Sequence, residues 1–153
     1  MAQAKQGGRA APTVAVVGVT GMVGETVLRV LEDRAFPVGE LRALSSAKSA
    51  GKRVLFRGAE HVVLEATAEA LRGCDFVFFA ATGELSRTLA PAAAAGGAIV
   101  VDKSSTWRMD PGVPLVVPEI NAAALSGHRG IVACPNCTTI GLVMALEPLR
   151  RAA

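Results

Sequence analysis

The chain has 153 residues, of which 51% are hydrophobic, and its 16 Lys and Arg residues against 13 Asp and Glu residues give a net charge of +3. This length is typical of one domain of roughly 100 to 200 residues with a substantial core. The basic residues are scattered, aromatic residues make up 4% and Tyr is absent. The sequence therefore has neither the basic run nor the stacking side chains that are typical of nucleic-acid binding.

The first twelve residues, MAQAKQGGRAAP, are small and polar. We expect a loose, disordered tail there and neither a secretory signal nor a membrane anchor. The longest apolar stretch, 89–101, is interrupted by proline and glycine and is shorter than the roughly 20 residues that span a bilayer. Three cysteines in such a chain are more typical of thiols than of a disulfide framework. These features predict a soluble, cytoplasmic protein with no membrane partner.

Strands and helices alternate along the predicted structure, as judged from β-branched runs, helical periodicity and glycine or proline breaks. The predicted strands are 13–18, 40–46, a hairpin or two short strands within 52–66, 75–81, 98–102 and, after a looser region that includes 114–120, 129–133. The predicted helices are 22–34, 67–72, 84–96 and one from about residue 138 to the end of the chain. The apolar runs 75–81 and 98–102 are typical of strands buried on both faces of a parallel sheet.

This βαβ rhythm predicts an α/β fold, a doubly wound Rossmann-like parallel sheet with helices on both faces and ligands at the carboxyl ends of its strands. The last helix has no following strand to cover it, which predicts that a second domain is truncated. We therefore expect a tail over 1–12, a dinucleotide-binding domain over 13–133 and the start of a second domain over 134–153.

The segment GVTGMVG (18–24) lies where a dinucleotide fingerprint belongs, directly after the first strand and at the start of the first helix. Glycines there permit a tight turn, let the backbone approach a pyrophosphate and pack the helix against the strand. The N-terminus of the helix also favours a negatively charged ligand. The other interpretation is an ordinary glycine-rich turn, but the register of strand, loop and helix favours cofactor binding.

An NAD site usually carries an acidic residue about 20 positions further on, at the end of the second strand. The corresponding segment here, LSSAKSAGK (44–52), offers hydroxyls and two lysines but no acid. Serines and Lys48 suit a 2′-phosphate, which a carboxylate would repel, so the sequence predicts NADP over NAD. A solvated polar loop is the alternative. The predicted cofactor-binding residues are Gly18, Thr20, Gly21, Met22, Val23, Gly24, Ser45, Ser46, Lys48, Ser49 and Gly83.

Cys134 and Cys137 lie between a strand-like run and the last helix. Cys137 immediately precedes that helix, where unpaired N–H groups and the helix dipole lower the pKa of a thiol and favour a nucleophile. A redox dithiol and a buried, inert cysteine are the alternatives. A zinc site needs about four ligands, and Cys74, His61 and His128 lie at unsuitable spacings, so we predict no metal.

The stretch from Thr13 to Arg150 resembles the aspartate-semialdehyde dehydrogenases. The similarity rests on segments that follow one another in one frame: the opening VAVVGVTGMVGETVLRVLEDRAFPVGELRAL, the 2′-phosphate loop SSAKSAGK, VVDKSSTWRMD (100–110), VPLVVPEIN (113–121) and PNCTTI (135–140). Two positions depart from the usual pattern: Lys48 stands where many members have Arg, and Lys103 stands where Asn is frequent.

The resemblance implies NADPH-dependent reduction of aspartyl 4-phosphate to aspartate semialdehyde, a step toward lysine, threonine and methionine, in a homodimer or tetramer of the full-length enzyme. It implies that Cys137 forms a thioester, that Asn136 orients the substrate and helps hold the oxyanion, and that Arg108 binds phosphate. Two related families fit less well. Glyceraldehyde-3-phosphate dehydrogenases have Asn where Ile140 stands, and N-acetyl-glutamyl-phosphate reductases usually have Gly before the cysteine and Tyr after it.

The resemblance also implies a general-base histidine in the second half of an enzyme about twice this long. Neither His61, in the hairpin region, nor His128, in the turn SGHRG, matches that position. We therefore expect the chain alone to be an inactive fragment. Two alternatives stay open: a non-catalytic NADP-binding module, which would need neither Cys137 nor Arg108, and an acyl-phosphate reductase of the N-acetyl-glutamyl-phosphate type.

Overall fold

A computed structural model describes residues 11–152, so most of the predicted tail over 1–12 lies outside the described residues. Within this range, parallel strands form one sheet: β1 Thr13–Val17, β2 Glu40–Ser45, β5 Leu64–Glu65, β6 Phe76–Phe79, β7 Ile99–Asp102 and β8 Ile131–Ala133. An antiparallel hairpin is formed by β3 Arg53–Phe56 and β4 Ala59–Val62. The α-helices of the described range are α1 Met22–Asp33, α2 Gly83–Ala95, α3 Pro118–Asn121 and α4 Cys137–Ala152.

The order of the strands in the sheet is β5-β2-β1-β6-β7-β8, and every neighbouring pair is parallel. The chain moves outward from β1 in one direction through β2 and then restarts on the other side of β1 with β6. At such a switch point the loops after the two adjacent strands diverge and leave a crevice at the carboxyl ends. The predicted doubly wound parallel sheet is confirmed, and its switch point lies between β1 and β6.

Alternate residues of β1 face opposite sides of the sheet, and each side has its own apolar cluster. Val14 and Val16 pack with Val27 and Leu31 of α1. On the other side, Ala15 and Val17 lie in a cluster with residues of α2 that include Leu89, Ala90 and Ala93. Since all four side chains of 14–17 are fully buried, the glycine loop that follows β1 starts from a rigid position in the core.

The predicted helix over 67–72 is wrong. Successive turns occupy this stretch, with bonds from Leu71 N to Ala68 O and from Arg72 N to Glu69 O, and Gly73 then reverses the chain at a φ of 73°. Six residues are too few to offset the cost of nucleating an α-helix unless tertiary contacts favour it. The last helix begins at Cys137, one residue earlier than predicted.

No helix of the described residues is both long enough and apolar enough to cross a membrane.

Candidate active site

The three glycines of the loop 18–24 have different physical reasons to be glycine. Gly18 has a φ of 84°, and a Cβ there would lie 2.8 Å from the carbonyl carbon of Ala80. A Cβ at Gly24 would lie 2.6 Å from the Cα of Val19. Gly21 is exposed, and the nearest atom to a Cβ there would be Gly18 O at 3.4 Å. The first and third glycines therefore serve the turn and the packing of α1 on β1, whereas Gly21 keeps open a surface that faces outward.

A cleft of about 270 Å³ lies at the switch point. It is lined by the loops after β1, β2 and β6, and the lining residues are Gly18, Thr20, Gly21, Ser45, Ser46, Ser49, Ala80, Ala81, Thr82 and Leu85. The hydroxyls of Thr20 and Ser45 lie 3.1 Å apart and are hydrogen-bonded, which ties the glycine loop to the end of β2. Small side chains and backbone N–H groups at this place fit the pyrophosphate and adenosine of a dinucleotide.

The structure brings six of the eleven predicted cofactor residues to this cleft, namely Gly18, Thr20, Gly21, Ser45, Ser46 and Ser49. Met22 and Val23 instead line an apolar groove of about 340 Å³ beside α1, together with Lys103. Lys48 is exposed in a single 3-10 turn, Ala47–Ser49. A Cβ at Gly83 would lie 2.7 Å from Thr106 Oγ1, so this glycine allows the start of α2 to pack closely against the connection that follows β7.

Ala80, Ala81, Thr82 and Leu85 follow β6 and form one wall of the cleft, but they were not among the predicted cofactor residues. Thr82 caps α2 by accepting a hydrogen bond from Leu85 N, and both residues line the cleft. Their position follows directly from the end of the buried strand predicted over 75–81, because ligands of such sheets lie at the carboxyl ends of strands.

Two carboxylates lie close to Ser45 and Ser46. Glu65 ends β5 and Glu84 lies in the first turn of α2, and both line a second cleft of about 310 Å³ that shares Ser45 and Ser46 with the first. Although the segment 44–52 has no acidic residue, two carboxylates from other elements therefore lie close to it. Because Glu65 and Glu84 come from other elements, spacing along the sequence could not have placed them there.

Asn136 and Cys137 form the start of α4. Asn136 Oδ1 accepts hydrogen bonds from Thr138 N at 2.9 Å and from Thr139 N at 3.4 Å, and its carbonyl accepts one from Ile140 N. This arrangement is an N-cap, which satisfies the otherwise unpaired donors of the first turn. Among the described residues, Cys137 N has no hydrogen-bond partner. An exposed thiol and an unpaired N–H donor thus belong to the same residue.

Arg108 reaches the cysteine loop from the connection that follows β7. Its Nε donates to Cys134 O at 2.9 Å and its Nη2 donates to Lys103 O at 3.0 Å. Within the described part of the chain Nη1 donates to no acceptor, so one side of the planar guanidinium is available for an oxyanion. Arg108 therefore directly contacts the segment that leads from β8 to Cys137.

Cys134 differs from Cys137 in its environment. It is partly buried, and burial raises the pKa of its thiol above the ordinary value; the positive charges of Lys103 and Arg108 oppose that shift, while Asp102 adds to it. All three cysteines are free thiols. Of the pair, Cys137 has the more accessible thiol.

Neither histidine lies beside Cys137. His61 is part of β4 in the hairpin, and His128 precedes β8, at the amino end of the strand whose carboxyl end leads to Cys137. The Nδ1 of His128 accepts a hydrogen bond from Gly130 N at 3.1 Å. No group of three or more metal-ligating side chains occurs in the part of the chain that the structure describes.

Residues 13–128 match the family model described as semialdehyde dehydrogenase, NAD binding domain. The chain belongs to this family. It is 52% identical over 139 residues to the aspartate-semialdehyde dehydrogenase of Bacillus subtilis and 45% identical over 145 residues to that of Corynebacterium glutamicum. These matches cover 91% and 92% of this chain but 40% and 42% of the two relatives. The predicted resemblance is confirmed, and the chain spans about two fifths of the length of these relatives.

Solved structures of aspartate semialdehyde dehydrogenases are similar in fold to this chain. Aspartate semialdehyde dehydrogenase II of Vibrio cholerae, complexed with ASA, superposes with a TM-score of 0.86 at 42% identity and covers 93% of this chain and 47% of its own. The enzyme of Candida albicans, solved with NADP, gives a TM-score of 0.69 at 26% identity over the same shares of the two chains.

Proposed function

We propose that this chain supplies the NADP-binding domain and the nucleophile of an enzyme that reduces aspartyl 4-phosphate to aspartate semialdehyde and phosphate. One observation carries the proposal: the nucleotide cleft, Arg108 and Cys137 follow β1, β7 and β8, so all lie at the carboxyl edge of one sheet. The identity to aspartate-semialdehyde dehydrogenases supports the choice of substrate.

The chemistry begins at Cys137. Its thiolate adds to the acyl carbon of aspartyl phosphate, the bond from carbon to the phosphate oxygen breaks, and phosphate leaves with the electron pair, so that a thioester remains. When NADPH is bound, it supplies the hydride that reduces the thioester carbon. The bond from carbon to sulfur then breaks, which releases the aldehyde and returns Cys137 to its thiolate.

The neighbours of Cys137 have the donors that this sequence of steps needs. The unpaired Cys137 N–H would donate to the oxygen that becomes negatively charged when sulfur adds. Asn136 Oδ1 is held by the first turn of α4, which leaves its Nδ2 as a donor of fixed orientation. Arg108 would bind the phosphate group through Nη1.

The proposal predicts that aspartyl 4-phosphate acylates Cys137. Incubation of the chain without NADPH and intact-mass measurement should give one added aspartyl group. Cys137→Ser should abolish the thioester, and the matched variant Cys134→Ser should retain it. Acylation that persists in Cys137→Ser would contradict the assignment of the nucleophile, and no acylation of the unmodified chain would favour a non-catalytic binding module.

The proposed preference for NADP rests on the segment after β2. Ser46, Lys48 and Ser49 lie in or beside one 3-10 turn at the edge of the cleft, and they offer two hydroxyls and a positive charge to a 2′-phosphate. Glu65 and Glu84 line the adjoining cleft and would oppose that phosphate. We therefore expect a preference for NADPH that depends on the balance between Lys48 and these carboxylates.

Lys48→Ala should weaken NADPH binding about tenfold, because a charge-assisted hydrogen bond is lost, and should leave NADH binding unchanged. Lys52→Ala, which removes an exposed lysine four residues away, is the matched control. Fluorescence titration with both nucleotides measures the two affinities. Equal affinities of the unmodified chain for NADPH and NADH would contradict the predicted preference.

A further inference from the structure

Asp102 is a fully buried carboxylate at the last position of β7. Its Oδ2 accepts a hydrogen bond from the hydroxyl of Ser86, and its Oδ1 accepts one from Ser104 N at 2.6 Å. Ser86 is also fully buried, and its Oγ accepts a hydrogen bond from Trp107 Nε1 at 2.9 Å. These donors converge on one side chain from α2 and from the connection after β7.

Burial of a carboxylate at this position costs free energy of folding, because the side chain loses its hydration. Within the part of the chain that the structure covers, Asp102 has no ion-pair partner, so hydrogen bonds alone offset the loss of its hydration. The neighbouring core positions of β7 need only apolar side chains, as Val100 illustrates. A polar side chain at such a place calls for a role that an apolar residue could not fill.

The backbone of Asp102 supplies the second part of the arrangement. Its carbonyl accepts a hydrogen bond from Cys134 N at 2.7 Å. Cys134 O in turn accepts from Arg108 Nε, and Lys103 O accepts from Arg108 Nη2. Lys103 is the next residue after Asp102, and Cys134 is the residue whose N–H donates to the carbonyl of Asp102. Both acceptors of Arg108 are therefore attached to Asp102 by a covalent bond or a hydrogen bond.

We propose that Asp102 is a positioning residue for Arg108: its side chain fixes the loop 103–108, its carbonyl fixes Cys134, and the two together aim the guanidinium toward the substrate phosphate. The binding of phosphate rests on the proposed function, whereas the orientation of Arg108 does not. The same contacts connect Arg108 to Ser86 on α2, the helix whose first turn lines the nucleotide cleft.

An amide could not replace the carboxylate at Asp102. Ser86 Oγ already accepts from Trp107 Nε1, so its own hydrogen needs an acceptor, and Ser104 N needs another. Asparagine has one oxygen and one NH₂ group. Whichever way its side chain is turned, one of the two donors faces another donor and loses its partner.

Hydrogen exchange at the Arg108 Nε–H group tests this inference without any ligand. In ¹⁵N-labelled chain the signal is assigned by its loss in Arg108→Lys, and the Nε–H of Arg42, which donates to Glu40 Oε1 at 2.8 Å on β2, serves as an internal reference. We expect Asp102→Asn to accelerate exchange at Arg108 about tenfold relative to Arg42, as the loss of one hydrogen bond predicts. Asp110→Asn removes the same charge from an exposed site and should change neither signal.

Unchanged exchange at Arg108 in folded Asp102→Asn would overturn the proposal, and so would equal acceleration at Arg42 and Arg108, since that outcome reports general loosening. If Asp102→Asn does not fold, Ser86→Ala, which removes one donor to the carboxylate, is judged by the same criterion. Inorganic phosphate, followed by ³¹P line width, then separates the two proposals. Accelerated exchange together with no phosphate binding by the unmodified chain would reject the phosphate role of Arg108 and leave its positioning by Asp102 established.

Discussion

At the scale of single residues, the glycines of the loop 18–24 are glycines for two different reasons. Gly18 and Gly24 are glycines because the protein's own backbone leaves no room for a Cβ. Gly21 meets no such restriction, since a Cβ there would have ordinary contacts only. The sequence pattern alone treats all three alike, and for Gly21 we propose the approach of a ligand as the reason.

Replacement of these glycines should therefore separate binding from stability. Gly21→Ala should weaken NADPH binding about tenfold or more because the methyl group keeps the pyrophosphate from the backbone, and it should cost at most about 1 kcal/mol of stability at the N-cap of α1. Gly24→Ala should lower the free energy of unfolding by about 2 kcal/mol or more, since the backbone must move to admit a Cβ. Thermal unfolding and NADPH titration of both variants measure the difference. Unaltered NADPH affinity in Gly21→Ala would show that the position does not contact the cofactor.

The two cysteines of the CPNC segment are also distinguished at this scale. Cys134 continues from β8 and is held by its backbone, with N bonded to Asp102 O and O bonded to Arg108 Nε. Cys137 is exposed at the first turn of α4. The two cysteines look alike in the sequence, but one is held in the loop by its backbone and the other faces solvent. This difference favours a single nucleophile over a redox dithiol.

At the scale of elements, the sequence predicted the strands of the parallel sheet and the long helices. The apolar runs that became β1, β6 and β7 are buried by neighbours on both faces, so their composition alone identifies them. The helix predicted over 67–72 is wrong because local composition does not decide the conformation there. Ala66, Ala68 and Ala70 pack against the core, but the segment is short and Gly73 turns it back toward β6, so helix propensity was overridden by the path of the chain.

Much of the candidate site could be predicted because its residues follow the ends of strands, although Thr82 and Leu85, which follow β6, were not predicted. The glycine loop, Ser45, Ser46 and Cys137 all lie at or after the end of a strand, and each was predicted. Contacts between separate elements could not be predicted, because no spacing rule connects them. Glu65 beside Ser45 and the hydrogen bond between Ser86 and Asp102 are of this kind. The first enters the proposed cofactor preference, and the second enters the proposed positioning of Arg108.

At the scale of the whole molecule, the parallel sheet explains why the candidate cofactor cleft and the proposed nucleophile, which are distant in sequence, lie at one edge of the sheet. The connections after β1, β6, β7 and β8 all leave from the carboxyl end, so Gly21, Thr82, Arg108 and Cys137 are brought to the same side. The sheet places no histidine there. His128 leads into β8 from the amino end, and His61 lies on the hairpin.

Because neither described histidine lies at this edge, we expect aspartyl 4-phosphate to acylate Cys137 but the rate of turnover to be low. A positioned general base contributes about 10²- to 10⁴-fold, and the described residues offer no histidine beside Cys137 to act as one. We expect oxidation of NADPH in the presence of aspartyl 4-phosphate to be slower by about that factor than in the longer Bacillus subtilis relative. Imidazole added to the buffer should restore part of the rate by accepting the proton of the Cys137 thiol, and Cys137→Ser should stay inactive with imidazole present. A rate comparable to that of the longer relative in the absence of imidazole would mean that the chain holds its own base, and His61→Ala and His128→Ala would then identify it.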